Sequence, residues 1–109
     1  MALVCLEDAK TYLRVDSSDE DDLIESLILA SESLCKDVAR LTEERWETLT
    51  DASLEEDQLT IQQVHERDIL TIAVLYTLGY LYEHREEADH HDLTLTLRSL
   101  LFAVREGVV

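Results

Sequence analysis

The densest cluster of groups able to do chemistry is Glu83-His84-Arg85-Glu86-Glu87-Ala88-Asp89-His90-His91-Asp92. Carboxylates and imidazoles are ligands for divalent metals. Within the cluster, Glu87 and His90 stand at i, i+3, the spacing that dinuclear metal sites in helical bundles use. Such a site needs two Glu-x-x-His pairs and two further glutamates facing inward. The chain has one pair, at the end of a predicted helix. A solvated helix terminus is the ordinary reading, and no metal site is assigned. His65 and Asp68 lie one turn apart, which suits a surface hydrogen-bonded pair, because no nucleophile stands near them in sequence. Cys5 and Cys35 lack Cys-x-x-Cys spacing, and two glycines cannot build a phosphate-cradling loop.

A second acidic pattern is Glu83-x-x-Glu86. It invites comparison with the all-α nucleotide pyrophosphohydrolases, which hold magnesium between two acidic pairs. Asp22 and Glu25 could supply the facing pair. In a chain with 25 acids such pairs arise by chance. Magnesium also sits beside substrate phosphates, and nine basic residues give little to receive them. The expectation is that the chain is not an enzyme and carries no catalytic residue and no cofactor. A metal-dependent pyrophosphohydrolase is the alternative, and an acidic protein-binding module is another.

The elements that would position these groups are helices. The chain has 109 residues, enough for one domain over 1–109, and 46% of them are apolar. Gly is 2 and Pro is 0, which disfavours a many-turned β fold. The formal charge of −16 repels nucleic-acid phosphates and anionic membrane alike. The longest uncharged stretch, Ile69 to Tyr82, is fourteen residues and suits a buried helix better than a membrane span. The apolar start, Met1 to Leu6, runs straight into Glu7 and Asp8 with no basic region, so it does not read as a secretion signal.

Leu6, Ala9 and Leu13 predict a short first helix. A long second helix is expected over about 19–41, with Ser18 as N-cap and Asp21 three residues on. Leu23, Ile24, Leu27, Ile28, Leu34, Cys35, Val38 and Leu41 make its stripe. Cys35 on that stripe reads as a reduced core thiol. Residues 42–60 read as a variable connection with some helix, where Ser53 and Glu56 could cap a short segment. A third helix is expected over about 60–87. From Ile69 it is apolar on nearly every side, so it asks for cover that a neighbouring subunit could supply. Gly79 inside it reads as close helix packing or as a point of contact between subunits. After a polar loop at 88–92, Leu93, Leu95 and Leu97 alternate with threonines like a short strand. A last helix follows over 96–106, buried through Leu97, Leu100, Leu101 and Val104 and ended by Gly107. The fold class is therefore all-α, a small bundle of two long helices flanked by two short ones.

The order of these motifs resembles the head–tail connector proteins of long-tailed bacteriophages, often labelled DNA-packaging proteins. The resemblance is carried by Leu6 to Asp16, Asp19 to Asp22, Leu23-Ile24 and Leu27-Ile28. Later it is carried by Tyr80-Leu81-Tyr82-Glu83-His84-Arg85-Glu86 and by Leu97, Leu100-Leu101 and Arg105. It covers about residues 6–41 and 69–106. The chain departs from the family at Leu93-Thr94-Leu95-Thr96, where a proline often precedes the last helix, and over 42–60. The resemblance implies a structural subunit of the virion, present in the host cytoplasm before assembly. It implies a twelvefold homo-oligomeric ring at the head–tail junction, between the portal protein and a tail-side connector or terminator protein. DNA would pass through the ring without sequence-specific binding, and no membrane is involved. Candidate subunit contacts are Leu78, Gly79, Tyr82, Arg85, Leu93 and Leu95.

Overall fold

A computed structural model describes residues 3–51, 53–84 and 91–104. Five helices follow one another: α1 (Leu6–Leu13), α2 (Asp21–Ala39), α3 (Glu43–Thr50), α4 (Ile61–Glu83) and α5 (His91–Leu100). Two short 3-10 turns, Glu56–Gln58 and Phe102–Val104, are also present, and no strand occurs among the described residues. The all-α reading holds. α4 is the axis: α2 lies along it, while α1 and α5 each pack on both, and α3 packs on α4.

The helix ends are set locally. Thr60 and Gln63 form a reciprocal capping box at the start of α4, with the Gln63 N–H donating to Thr60 Oγ1 and the Thr60 N–H to Gln63 Oε1, each at 3.0 Å. Thr42 caps α3 by accepting from the Arg45 N–H at 3.2 Å. α1 and α2 both end on an arginine in the left-handed region, Arg14 at φ 60° and Arg40 at φ 55°. There the N–H of Val15 donates to Lys10 O at 2.9 Å and that of Leu41 to Lys36 O at 3.3 Å, which satisfies carbonyls that the helix leaves open. Glycine usually holds this position because a Cβ there is strained.

Buried side chains form one cluster, which includes Ile24, Ile28 and Cys35 of α2, Leu70, Ala73, Val74 and Leu78 of α4, and Leu93 and Leu97 of α5. Cys35 is fully buried, with Sγ 3.5 Å from Thr77 Oγ1. Burial pushes its thiol up to about 11, so it stays protonated and works as a small apolar residue.

Three local expectations are corrected. Ser18 does not cap α2: the helix begins after Glu20, with no side-chain cap. Ser53 and Glu56 do not cap the short segment either. Glu55 and Gln58 do so, one residue pair later. The alternation at Leu93, Leu95 and Leu97 is helical, not extended. In α5, Leu93 and Leu97 fall at i, i+4 and are buried, while Leu95 faces out at 47% exposure. Leucine at every second position satisfies either period, and the neighbours at Leu100 and Leu101 decide for the helix. The predicted end of the third helix beyond His84, at 85–87, lies outside the described residues.

One buried acid makes the fold sensitive to pH. Glu32 in α2 accepts the Leu3 N–H at 2.6 Å and is 6% exposed. Burial raises its carboxyl above the ordinary 4.5, partly offset by that hydrogen bond. The folded chain therefore holds this proton at pH values where the unfolded chain has lost it. The associated stability is complete below about 4.5 and fades as pH rises through the folded value. The Glu32→Gln protein should therefore gain melting temperature relative to the wild type as pH rises from 4.5 to neutrality. Paired melting curves across that range check this, and a constant gap would disprove it.

Candidate subunit interface

The large apolar residues left exposed are Tyr12, Leu29, Ile61, Ile72, Tyr76, Leu95 and Phe102, and three of them lie on α4. On α4, Ile61, His65, Asp68, Ile72 and Tyr76 are exposed and share one face by their spacing. Ile72 is 58% exposed and Tyr76 41%. Three sides of the all-round apolar helix are thus covered by the protomer itself, and one stripe is not.

At the C-terminal end of that stripe, α1 and α4 enclose an open groove of about 570 Å³. The turns that build it are short-range. The αL residue Arg14 ends α1 at the lip, and Tyr12 lies back across α4. A Cβ on Gly79 would stand 3.1 Å from Tyr12 Cε2, so glycine here admits the Tyr12 ring against the helix. Tyr82 donates to Glu20 Oε1 at 2.5 Å, tying α4 to the start of α2. The Tyr80 and His84 rings stack with centroids 4.2 Å apart. The floor is therefore aromatic and fixed.

A second open cleft, of about 380 Å³, lies on α3 and is lined by Lys36, Glu43, Trp46, Glu47, Thr50 and Asp51. Lys36 pairs with Glu43 and lies 5.9 Å from the centre of the Trp46 ring. The Ser53 hydroxyl and N–H both donate to Asp51, holding its carboxyl below the usual range and so ionised. The connection under this cleft is pinned by two arginines. Arg45 pairs with the buried Glu66 and donates to Val104 O at 2.9 Å. Arg67 donates to the carbonyls of Leu49, Leu54 and Asp51.

The sequence candidates separate accordingly. Leu78 and Leu93 are 0% and 1% exposed, filling the protomer's own core, so they offer nothing to a neighbour in this fold. Gly79 is covered by Tyr12, and Tyr82 is half-buried in the groove. Leu95 is exposed, and Arg85 lies outside the described residues. Tyr12, Arg14, Trp46 and Glu47 were not singled out from the sequence. Tyr12 falls beside the Leu6, Ala9 and Leu13 stripe, and Trp46 lies in the connection whose pattern gave no register.

The metal-site candidates do not converge. Asp22, Glu25 and Glu83 are all exposed, while Glu86, Glu87 and His90 lie outside the described residues. Among the described residues no three of His, Cys, Asp and Glu are grouped as a metal site would need. His65 and Asp68 are both exposed on α4.

Comparison with known families decides among these readings. A family model described as phage gp6-like head-tail connector protein matches residues 4–106. The chain belongs to that family. No curated protein and no solved structure matches it. The matched span includes 42–60, the part of the connector that its sequence motifs left unaligned. Membership makes this protein a structural phage component of the head–tail junction, working among other head and tail proteins. No helix among the connector's described residues is long and apolar enough to cross a membrane.

Proposed function

We propose that this connector assembles into a twelvefold ring between the portal protein and a tail-side connector or terminator protein. DNA passes through the ring during packaging and ejection, without sequence-specific contact, and the subunit performs no reaction of its own. The reading is carried by the uncovered stripe on α4, where Ile72 and Tyr76 continue into the aromatic groove beside Tyr12. Grouped apolar surface of this kind marks an interface. The family membership supports the location, and the acidity suits a conduit, since a wall that repels phosphate does not trap passing DNA.

Subunits that each carry −16 repel one another, and salt screens that repulsion. Light scattering coupled to size-exclusion chromatography should show oligomer growing with protein concentration. Raising salt from about 0.1 M to about 1 M shortens the screening length from roughly 10 to 3 Å and weakens repulsion and ion pairing alike, so the concentration series is run at fixed salt. A protein that is monomeric throughout and fails to bind portal protein would sink the ring. If magnesium or manganese raised the melting temperature and nucleotide turnover appeared, the pyrophosphohydrolase reading would replace it.

A further inference from the structure

We propose that the ring contact is head-to-tail, with Arg14 of one copy docked in the acidic cleft beside Trp46 of the next. This rests on the ring reading above. The chain has nine basic residues, of which Arg85 and Arg105 lie outside the described residues. Lys10, Lys36 and Arg45 pair with carboxylates, and Arg67 serves three carbonyls. Arg14, Arg40 and Arg98 are exposed with no side-chain partner, although the chain carries 25 acids, and of the three only Arg14 lines the aromatic groove. Its αL backbone holds it at the lip of the aromatic groove.

The acidic cleft is the complement of that groove. Glu43, Glu47 and Asp51 stand at i, i+4 and i+8 along one wall, with the Trp46 ring beside them. Lys36 already places an ammonium there, between the Trp46 face and Glu43, which shows that the cleft accepts a cation. Glu47 is exposed and has no partner within the protomer, and Asp51 is held ionised. A guanidinium entering the cleft would meet Glu47 and Asp51 as carboxylates and Trp46 as a π face.

The two patches cannot satisfy each other within one protomer. α3 is tied to α4 at Glu66, while Tyr12 crosses α4 at Gly79, thirteen residues further on. That is roughly 20 Å along the helix at 1.5 Å per residue. Two different, complementary patches set apart in this way give a heterologous contact, the type that closes into rings.

The charge swap tests this. Arg14→Glu and Glu47→Arg should each raise the protein concentration needed for oligomer by about tenfold or more, while the Arg14→Glu/Glu47→Arg double variant regains most of the loss. Both side chains are exposed, so each single variant should melt like the wild type. In a Cys5→Ser background, a chain carrying Arg14→Cys and Glu47→Cys should give a ladder of oxidised oligomers. Emission from Trp46, the single tryptophan, should shift on assembly. If the singles assemble like the wild type, or the double variant regains nothing, the pairing is wrong and the ring stands. If Arg14→Glu abolishes retention on DNA without touching oligomerisation, Arg14 serves phosphate and the pairing is again wrong. A wild type that never assembles, together with a double-cysteine chain that gives no ladder, overturns both.

Discussion

Leu78→Ala should lower stability by about 3–4 kcal/mol and the melting temperature by roughly 15–25 °C. Leu78 is 0% exposed and lies among the buried residues of α2, α4 and α5. Truncation removes the transfer energy of the lost methyls and leaves a cavity that packed helices close only in part. The loss is a large share of the roughly 5–15 kcal/mol that holds a domain of this size together. The variant discriminates between two roles, because this leucine stands on a helix whose apolar circumference suggests subunit contact. A core leucine costs the isolated protomer its stability at any protein concentration. A contact leucine would leave the monomer's melting unchanged and weaken only the oligomer. Circular dichroism melts at low concentration decide the matter, and a wild-type melting temperature would return Leu78 to the interface.

Arg67→Ala is expected to cost about 2–3 kcal/mol, or roughly 10–20 °C, which is large for a half-buried surface-facing residue. Its guanidinium donates at 3.1 Å to Leu49 O, 3.2 Å to Leu54 O and 3.3 Å to Asp51 O. These carbonyls belong to the end of α3 and the chain just beyond it, where no helix partner remains for them. Arg67 therefore ties the end of α3 and the chain beyond it to α4, beside the Arg45–Glu66 pair. Lysine should not rescue the variant, because one ammonium cannot span three carbonyls that a planar fork reaches together. Proteolysis near residues 50–58 should accelerate in Arg67→Ala and in Arg67→Lys alike. Wild-type resistance in either would show that the connection is held by its own turns.

The connection is also where sequence and structure part most clearly. Residues 42–60 gave no period because α3 is only eight residues long and buries Leu49 and Thr50 near its end. A stripe needs several turns to be visible, and α3 has two. What orders it is non-local: Arg45 to Glu66 and Val104, and Arg67 to three carbonyls. None of these pairs is written in the local pattern.

The sequence by itself determined α1 as Leu6–Leu13, the course of α2 and α4, Thr60 at the start of α4 and the reduced core thiol at Cys35. Long apolar periods are local signals, and local signals survive in one dimension. It also carried the family, because motif order along the chain is itself one-dimensional. The tertiary structure alone decided which side of α4 stays open. Helix α4 is apolar all round from Ile69, so its sequence cannot say where its neighbours lie. Packing by α1, α2, α3 and α5 leaves only the face of Ile72 and Tyr76 exposed. The same packing moved Leu78 and Leu93 from candidate contacts into the core and set Tyr12 and Arg14 at the rim in their place. Exposure depends on what an element packs against, and that is a property of the whole fold.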